Sequence, residues 1–239
     1  MDADKRLIVA MDVDTMEKVQ QLVEVLGNSV SYYKVGMELF YSVGSQVITY
    51  LRAQGKDIFL DLKLHDIPNT VGQGLSTLTG LGLSMLNVHA SGGPAMMAKA
   101  AEAVKIKAAE LEIPRPKLIA VTVLTSIDSE QWKALGYGPS LSEQVVHLAQ
   151  LAQSSGLDGV VASPQEAEQI RRACGDGFMI VTPGIRPSGA AINDQSRIST
   201  PAGALKNGAH HLVVGRPITA AANPRSAAQA ILQEMRDKA

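Results

Sequence analysis

The sequence contains one cysteine, Cys174, among 239 residues, so no disulfide can form within the chain. That suits a reducing compartment. Aromatic residues make up only 4% of the total, with a single tryptophan, too few for a surface that stacks single-stranded bases. Neither sign of charge is in excess: 22 Lys and Arg stand against 23 Asp and Glu, a formal net charge of −1. The positive field that would hold nucleic acid is therefore missing. Apolar runs are short, and none approaches the roughly 18 residues of a membrane helix. The opening MDADKRLIVAMDV turns polar too soon for a secretory signal. These absences predict a cytoplasmic protein that binds neither nucleic acid nor membrane.

What the sequence does have is apolar content, 46% of residues, distributed in a regular way. Eight short runs rich in Val, Ile and Leu recur: 6–13, 31–38, 57–64, 85–90, 117–125, 158–163, 178–184 and 211–216. Between several of them lie amphipathic patterns. In TMEKVQQLVEVLG (15–27), Val19, Leu22, Val23 and Leu26 share one helical face. Residues 94–111, 142–156 and 164–175 follow suit, with Gly27, Gly156 and Gly175 placed as helix stops. Near-continuous apolar strands alternating with amphipathic helices specify a parallel sheet covered by helices. Eight such units without a linker predict one domain over residues 1–239, an α/β (β/α)8 TIM barrel. A doubly wound open sheet is the alternative, because strand order is not written in a single sequence.

Polar residues concentrate at the C-terminal ends of these runs, the face where such barrels build active sites. The sharpest case is FLDLKLHDIPNT (59–70), a buried strand threaded with Asp61, Lys63 and Asp66. Two residues apart on a strand, Asp61 and Lys63 should share a face. A buried ion pair stabilises poorly, since desolvation offsets most of the attraction, so charges converging at a strand-end cleft point to chemistry. Lys34, in YYKVG, belongs to the same end of the neighbouring strand. Alternating cations and anions keeps each lysine protonated. A fixed ammonium can protonate a developing carbanion. A fixed carboxylate beside a substrate carboxylate favours its departure as neutral CO2. Together these suit decarboxylation without a cofactor.

The segment 182–203 carries Gly, Pro, Ser and Asn but no apolar period, as a lid or binding loop would. Gly215 and Arg216 close the eighth strand after it. Barrels commonly hold phosphate at the loops following strands seven and eight, and arginine presents the planar, permanent charge that phosphate favours.

With these residues in place, the chain resembles the orotidine 5′-monophosphate decarboxylase family along its whole length. FLDLKLHDIPNTV fits the family's DxKxxDIxxT signature, and KVGMELF, VTVLTS, TPGIRP and VGRPIT follow in the family's order. The resemblance implies a homodimer with shared active sites, no metal and no organic cofactor. It implies that Lys34, Asp61, Lys63 and Asp66 form a Lys-Asp-Lys-Asp array, with Asp66 reaching the partner subunit's site. Lys63 would protonate C6 of the pyrimidine, and Asp61 would lie against the departing carboxylate. Asp12 and Lys34 would hold ribose hydroxyls, joined by Thr70 from the partner. Thr125 would bond the pyrimidine edge, with Thr122 the competing choice. Gln195, Gly215, Arg216 and Arg186 would grip the phosphate of orotidine 5′-monophosphate.

Two other functions compete. A Mg²⁺-dependent phosphosugar decarboxylase of the same barrel group shares the D-x-K-x-x-D strand but needs further acidic ligands. Here the fourth strand end offers only Asn87 and His89. A barrel that merely bound nucleotides would not need all four charges. His65 is read as an orienting or packing residue, His89 as a structural hydrogen-bonding one, and His210 and His211 as a pair entering the eighth strand. Trp132 packs down the loop at 126–138, and Cys174 is inert.

Overall fold

The structure, a computed structural model, describes residues 3–187 and 197–237. Eight strands form, β1 (Leu7–Met11), β2 (Tyr32–Gly36), β3 (Asp57–Leu64) and β4 (Met85–His89), then β5 (Lys117–Val121), β6 (Gly159–Val161), β7 (Met179–Thr182) and β8 (His211–Val214). Every neighbouring pair is parallel, and β1 pairs with β8 through Leu7↔Leu212, Ile8↔Val213 and Val9↔Val214. The ring is therefore closed, and the open-sheet alternative falls.

Closure separates two apolar cores by strand parity. Ile8, Ala10, Tyr32, Phe59, Met85, Ile119, Val181 and Val213 face inward and fill the barrel. Leu7, Val9, Met11, Tyr33, Val35, Leu60, Leu86, Val88, Leu118 and Val160 face outward and pack under the helices. Buried on both faces, the strands read as unbroken apolar runs. Helices begin and end where capping chemistry allows. Thr15 caps Met16–Leu26 by accepting from the Lys18 N–H, and Gly27 ends it at φ 54°. Ser140 and Glu143 form a reciprocal capping box on Leu141–Ser154.

Two expected loops are shorter than read. Of the 182–203 stretch, Thr182 belongs to β7 and Pro201–Lys206 is helical. Pro201 occupies the first turn, and the Thr200 hydroxyl accepts from the Gly203 N–H at 3.1 Å. Within 126–138, Ser129–Ala134 forms a helix capped by Asp128. Trp132 does hold this segment down, donating from Nε1 to the Pro139 carbonyl at 2.9 Å and stacking on Tyr137 with ring centroids 4.4 Å apart.

Candidate active site

At the C-terminal mouth of the barrel the inward positions turn from apolar to charged. Lys34 Nζ stands 3.1 Å from Asp12 Oδ1 and 3.4 Å from Asp61 Oδ2, and Lys63 Nζ stands 2.7 Å from Asp61 Oδ1. Asp12, Lys34, Asp61 and Lys63 thus form one alternating chain across β1, β2 and β3. Asp61 is buried at 7% exposure. Burial pushes its pKa up, but Lys34, Lys63 and hydrogen bonds from Lys63 and Asn87 outweigh that and hold it below the ordinary carboxylate value. For Lys34 the signs reverse: burial pulls the ammonium down, and the Asp61 and Asp12 charges carry it above an ordinary lysine.

Asp61 and Lys63 meet, but not because a regular strand puts them on one face. Leu60 pairs with Leu86 and Leu64 with Val88, so Asp61, Leu62 and Lys63 together oppose only Asn87. The extra residues bulge out, and Lys63 takes a left-handed backbone, φ 54°. For a non-glycine residue that conformation is strained. Asn87 compensates from inside the barrel, 1% exposed. Its Oδ1 accepts the Lys63 N–H at 2.9 Å, and its Nδ2 donates to Asp61 Oδ1 at 2.6 Å. The sequence had shown Asn87 only as a poor metal ligand. The usable signal was a polar residue at an inward position of an otherwise apolar strand.

A cavity of about 260 Å³ opens beside this chain. Lys34, Phe59, Asp61 and Lys63 line it from β2 and β3, Val121, Val161, Pro183 and Val213 from β5 to β8, and Leu124, Thr125 and Ser126 from the loop after β5. Thr125 rather than Thr122 reaches it, since Thr122 donates its hydroxyl to the Val161 carbonyl at 3.0 Å. Gly36 packs close by: a Cβ there would stand 3.0 Å from Lys34 Nζ, a tight contact that the ammonium would have to ease.

On the far side, Arg186 is buried, and its pKa is lowered first by that burial and then by the charge of Arg216. Arg186 and Arg216 thus lie near enough for the charge of one to act on the other. Gly215 adjoins Asp12, whose Oδ2 would lie 3.4 Å from a Cβ at that position. Gln195 lies outside the described residues.

The structure does not bring Asp66 or Thr70 into this cavity. All residues from His65 to Thr70 are exposed, and the Asp66 carboxylate accepts from the Ile67 N–H next to it at 2.7 Å. His89 makes no hydrogen bond among the described residues. Its ring faces that of His65 at 5.4 Å, so its expected structural hydrogen bond is absent. His210 and His211 do brace the start of β8: His210 Nδ1 accepts from the Ile180 N–H, and His211 Nδ1 meets the Lys5 carbonyl.

Residues 5–231 match the profile of the family described as orotidine 5'-phosphate decarboxylase / HUMPS. The chain belongs to this family. Within the decarboxylase family, a relative from Trichlorobacter lovleyi named orotidine 5'-phosphate decarboxylase is 50% identical, over 98% of this chain and 96% of its own. One of the same name from Moorella thermoacetica is 49% identical over 98% of this chain and 94% of its own. The crystal structure of the Lactobacillus acidophilus orotidine 5'-phosphate decarboxylase superposes with a TM-score of 0.86 at 42% identity. It spans 98% of this chain and all of that one.

Proposed function

We propose that the protein decarboxylates orotidine 5′-monophosphate to UMP and CO2 in pyrimidine biosynthesis, with Lys63 as proton donor and no cofactor. The observation that carries the reading is the unbroken Asp12–Lys34–Asp61–Lys63 chain lining a cavity whose opposite wall is apolar. A pyrimidine resting on Val121, Val161 and Val213 would turn its C6 carboxylate toward Asp61. A fixed Asp61 carboxylate beside the substrate carboxylate favours its departure as neutral CO2, through ground-state stress or transition-state electrostatics. The electron pair left on C6 then finds the Lys63 ammonium, held by Asp61. Asp12 and Lys34 would hold the ribose, Thr125 the pyrimidine edge, and Arg186, Gly215 and Arg216 the phosphate, a role that the sequence also gives to Gln195. Grip on that remote phosphate contributes at the reacting carbon.

We further infer a cytoplasmic homodimer in which Asp66 and Thr70 complete the partner's site. The exposed run His65–Thr70 supports this, as do three apolar side chains left in solvent after β2 and β3: Met37 at 44%, Tyr41 at 72% and Ile67 at 66% exposure. Among the described residues no three His, Cys, Asp or Glu side chains gather as metal ligands.

Ultraviolet absorbance of orotidine 5′-monophosphate, followed with and without excess chelator, tests the reaction. Conversion to UMP that ignores the chelator is expected; activity lost to chelation and restored by Mg²⁺ would return the protein to the phosphosugar branch. Mixing Asp66→Asn with Lys63→Ala chains tests the shared site. Heterodimers should recover turnover, and none after proven subunit exchange removes the shared site from the proposal.

A further inference from the structure

One buried pair of charges has no place in the reaction described so far. Glu166, just after β6, and Arg197, at the far end of the β7 loop, are 5% and 8% exposed, with Arg197 Nη1 2.7 Å from Glu166 Oε1. Stability alone does not account for such a pair. A buried ion pair replaced by well-packed apolar side chains is commonly as stable or more so. This pair is also incompletely satisfied: Glu166 Oε2 and Arg197 Nε have no hydrogen-bond partner among the described residues.

What the pair does accomplish is a connection between three strand-end segments. Arg197 Nη2 donates to the Leu124 carbonyl at 3.1 Å, across 73 residues of chain. Ser163, itself buried, donates its hydroxyl to the Arg197 carbonyl at 3.5 Å. Two residues past Arg197, the Ser199 carbonyl accepts the Arg186 N–H at 2.9 Å, which ties the same piece of backbone to the cation of the phosphate side. Leu124, Thr125 and Ser126 are consecutive and all line the cavity. Fixing the Leu124 carbonyl fixes the peptide plane that leads into Thr125.

We propose that Glu166 and Arg197 are positioning residues, holding Leu124–Ser126 in register with the phosphate-side segment so that Thr125 meets the pyrimidine. The proposal rests on the reading of Thr125 as the base contact. Neither Glu166 nor Arg197 touches substrate. Glu166 aims the guanidinium, and the guanidinium sets the loop.

The test is a double-mutant cycle on the full-length enzyme. Replacing the pair together, Glu166→Leu with Arg197→Met, avoids leaving one charge buried alone. This pair variant is expected to lower kcat/KM for orotidine 5′-monophosphate on the order of 10- to 100-fold, the scale of a misplaced contact. In a Thr125→Ala background the same replacement should cost little, because its effect travels through Thr125. A merely structural pair would give equal losses in both backgrounds, or none, and either result overturns the proposal. Should the pair variant not fold, Arg197→Lys goes through the same cycle, since it keeps the charge opposite Glu166 but lacks the forked second donor for Leu124. If Thr125→Ala alone leaves kcat/KM unchanged, the base-contact reading fails and takes the proposal with it. If Thr125→Ala is damaging and the pair variant harmless, only the positioning role is lost.

Discussion

The two halves of the barrel mouth grow from the same strand alternation, yet the side chains they present differ sharply in chemistry. On β1 to β4 the inward positions near the rim are Asp12, Lys34, Asp61 and Asn87, each bonded to a neighbour. On β5 to β8 they are Val121, Val161, Pro183 and Val213. Neither half would serve alone. A ring of charges open to water would be screened and weak. Set against an apolar wall, the same charges act through a medium of lower dielectric, where attraction and repulsion both grow. The side chains of Val121, Val161, Pro183 and Val213 offer no polar group with which to hold a carboxylate in place.

The charged half should be the more sensitive to change. Lys63→Ala and Lys63→Gly are both expected to lower kcat on the order of 10⁴-fold, the upper end of what a positioned proton donor supplies. Both lose the ammonium, so they differ only in backbone. The glycine variant should be the more stable in denaturant by about 1 kcal/mol, since φ 54° costs glycine nothing. Near-normal turnover in either would remove Lys63 from the chemistry, and equal stabilities would remove the strain.

The apolar half should respond more gently. Val161→Thr keeps the shape but adds a hydroxyl, and is expected to cost about 1 kcal/mol of stability and to lower kcat. Calorimetry and turnover measure the two effects, and an unchanged kcat would mean that the wall need only be the right shape.

The smallest effect belongs to His89, at the seam between the halves. Its pKa is lowered by burial first, then by the charges of His65 and Lys63. A depressed pKa means that its contribution to stability is fully present above the unfolded value near 6.5 and is lost as pH falls toward the folded one. His210 and His211 are lowered by burial as well. The thermal midpoint should therefore decline as pH drops below about 6.5, and His89→Asn should make the decline shallower. An identical slope in the variant would assign the whole decline to other groups.

How much of this was legible in the sequence depends on the range of the interactions involved. The eight strands were legible because burial on both faces writes itself as apolar runs, and helix stops because Gly27 and Gly175 must turn to positive φ. The charged chain was legible as residue types at strand ends. Its geometry was not: two-residue spacing predicted a shared strand face, whereas the pair is joined through a bulge that depends on Asn87, 24 residues away from Lys63. The Glu166–Arg197 link was hidden for the same reason, since nothing local marks Arg197 as reaching Leu124. The helix at Ser129–Ala134 was missed because it is only six residues long, less than two full turns, too short for an apolar period to show.

The three-against-one pairing of Asp61, Leu62 and Lys63 with Asn87 also limits how the site could be transplanted. A designer who copied DLKLHD into the third strand of another barrel would obtain an ordinary strand if the fourth strand carried an apolar residue opposite. The lysine's backbone N–H would then have no acceptor in the bulge, and the aspartate would lose the donor that holds it. The portable unit is a piece of sheet two strands wide, and its smallest member is an asparagine that never touches the substrate.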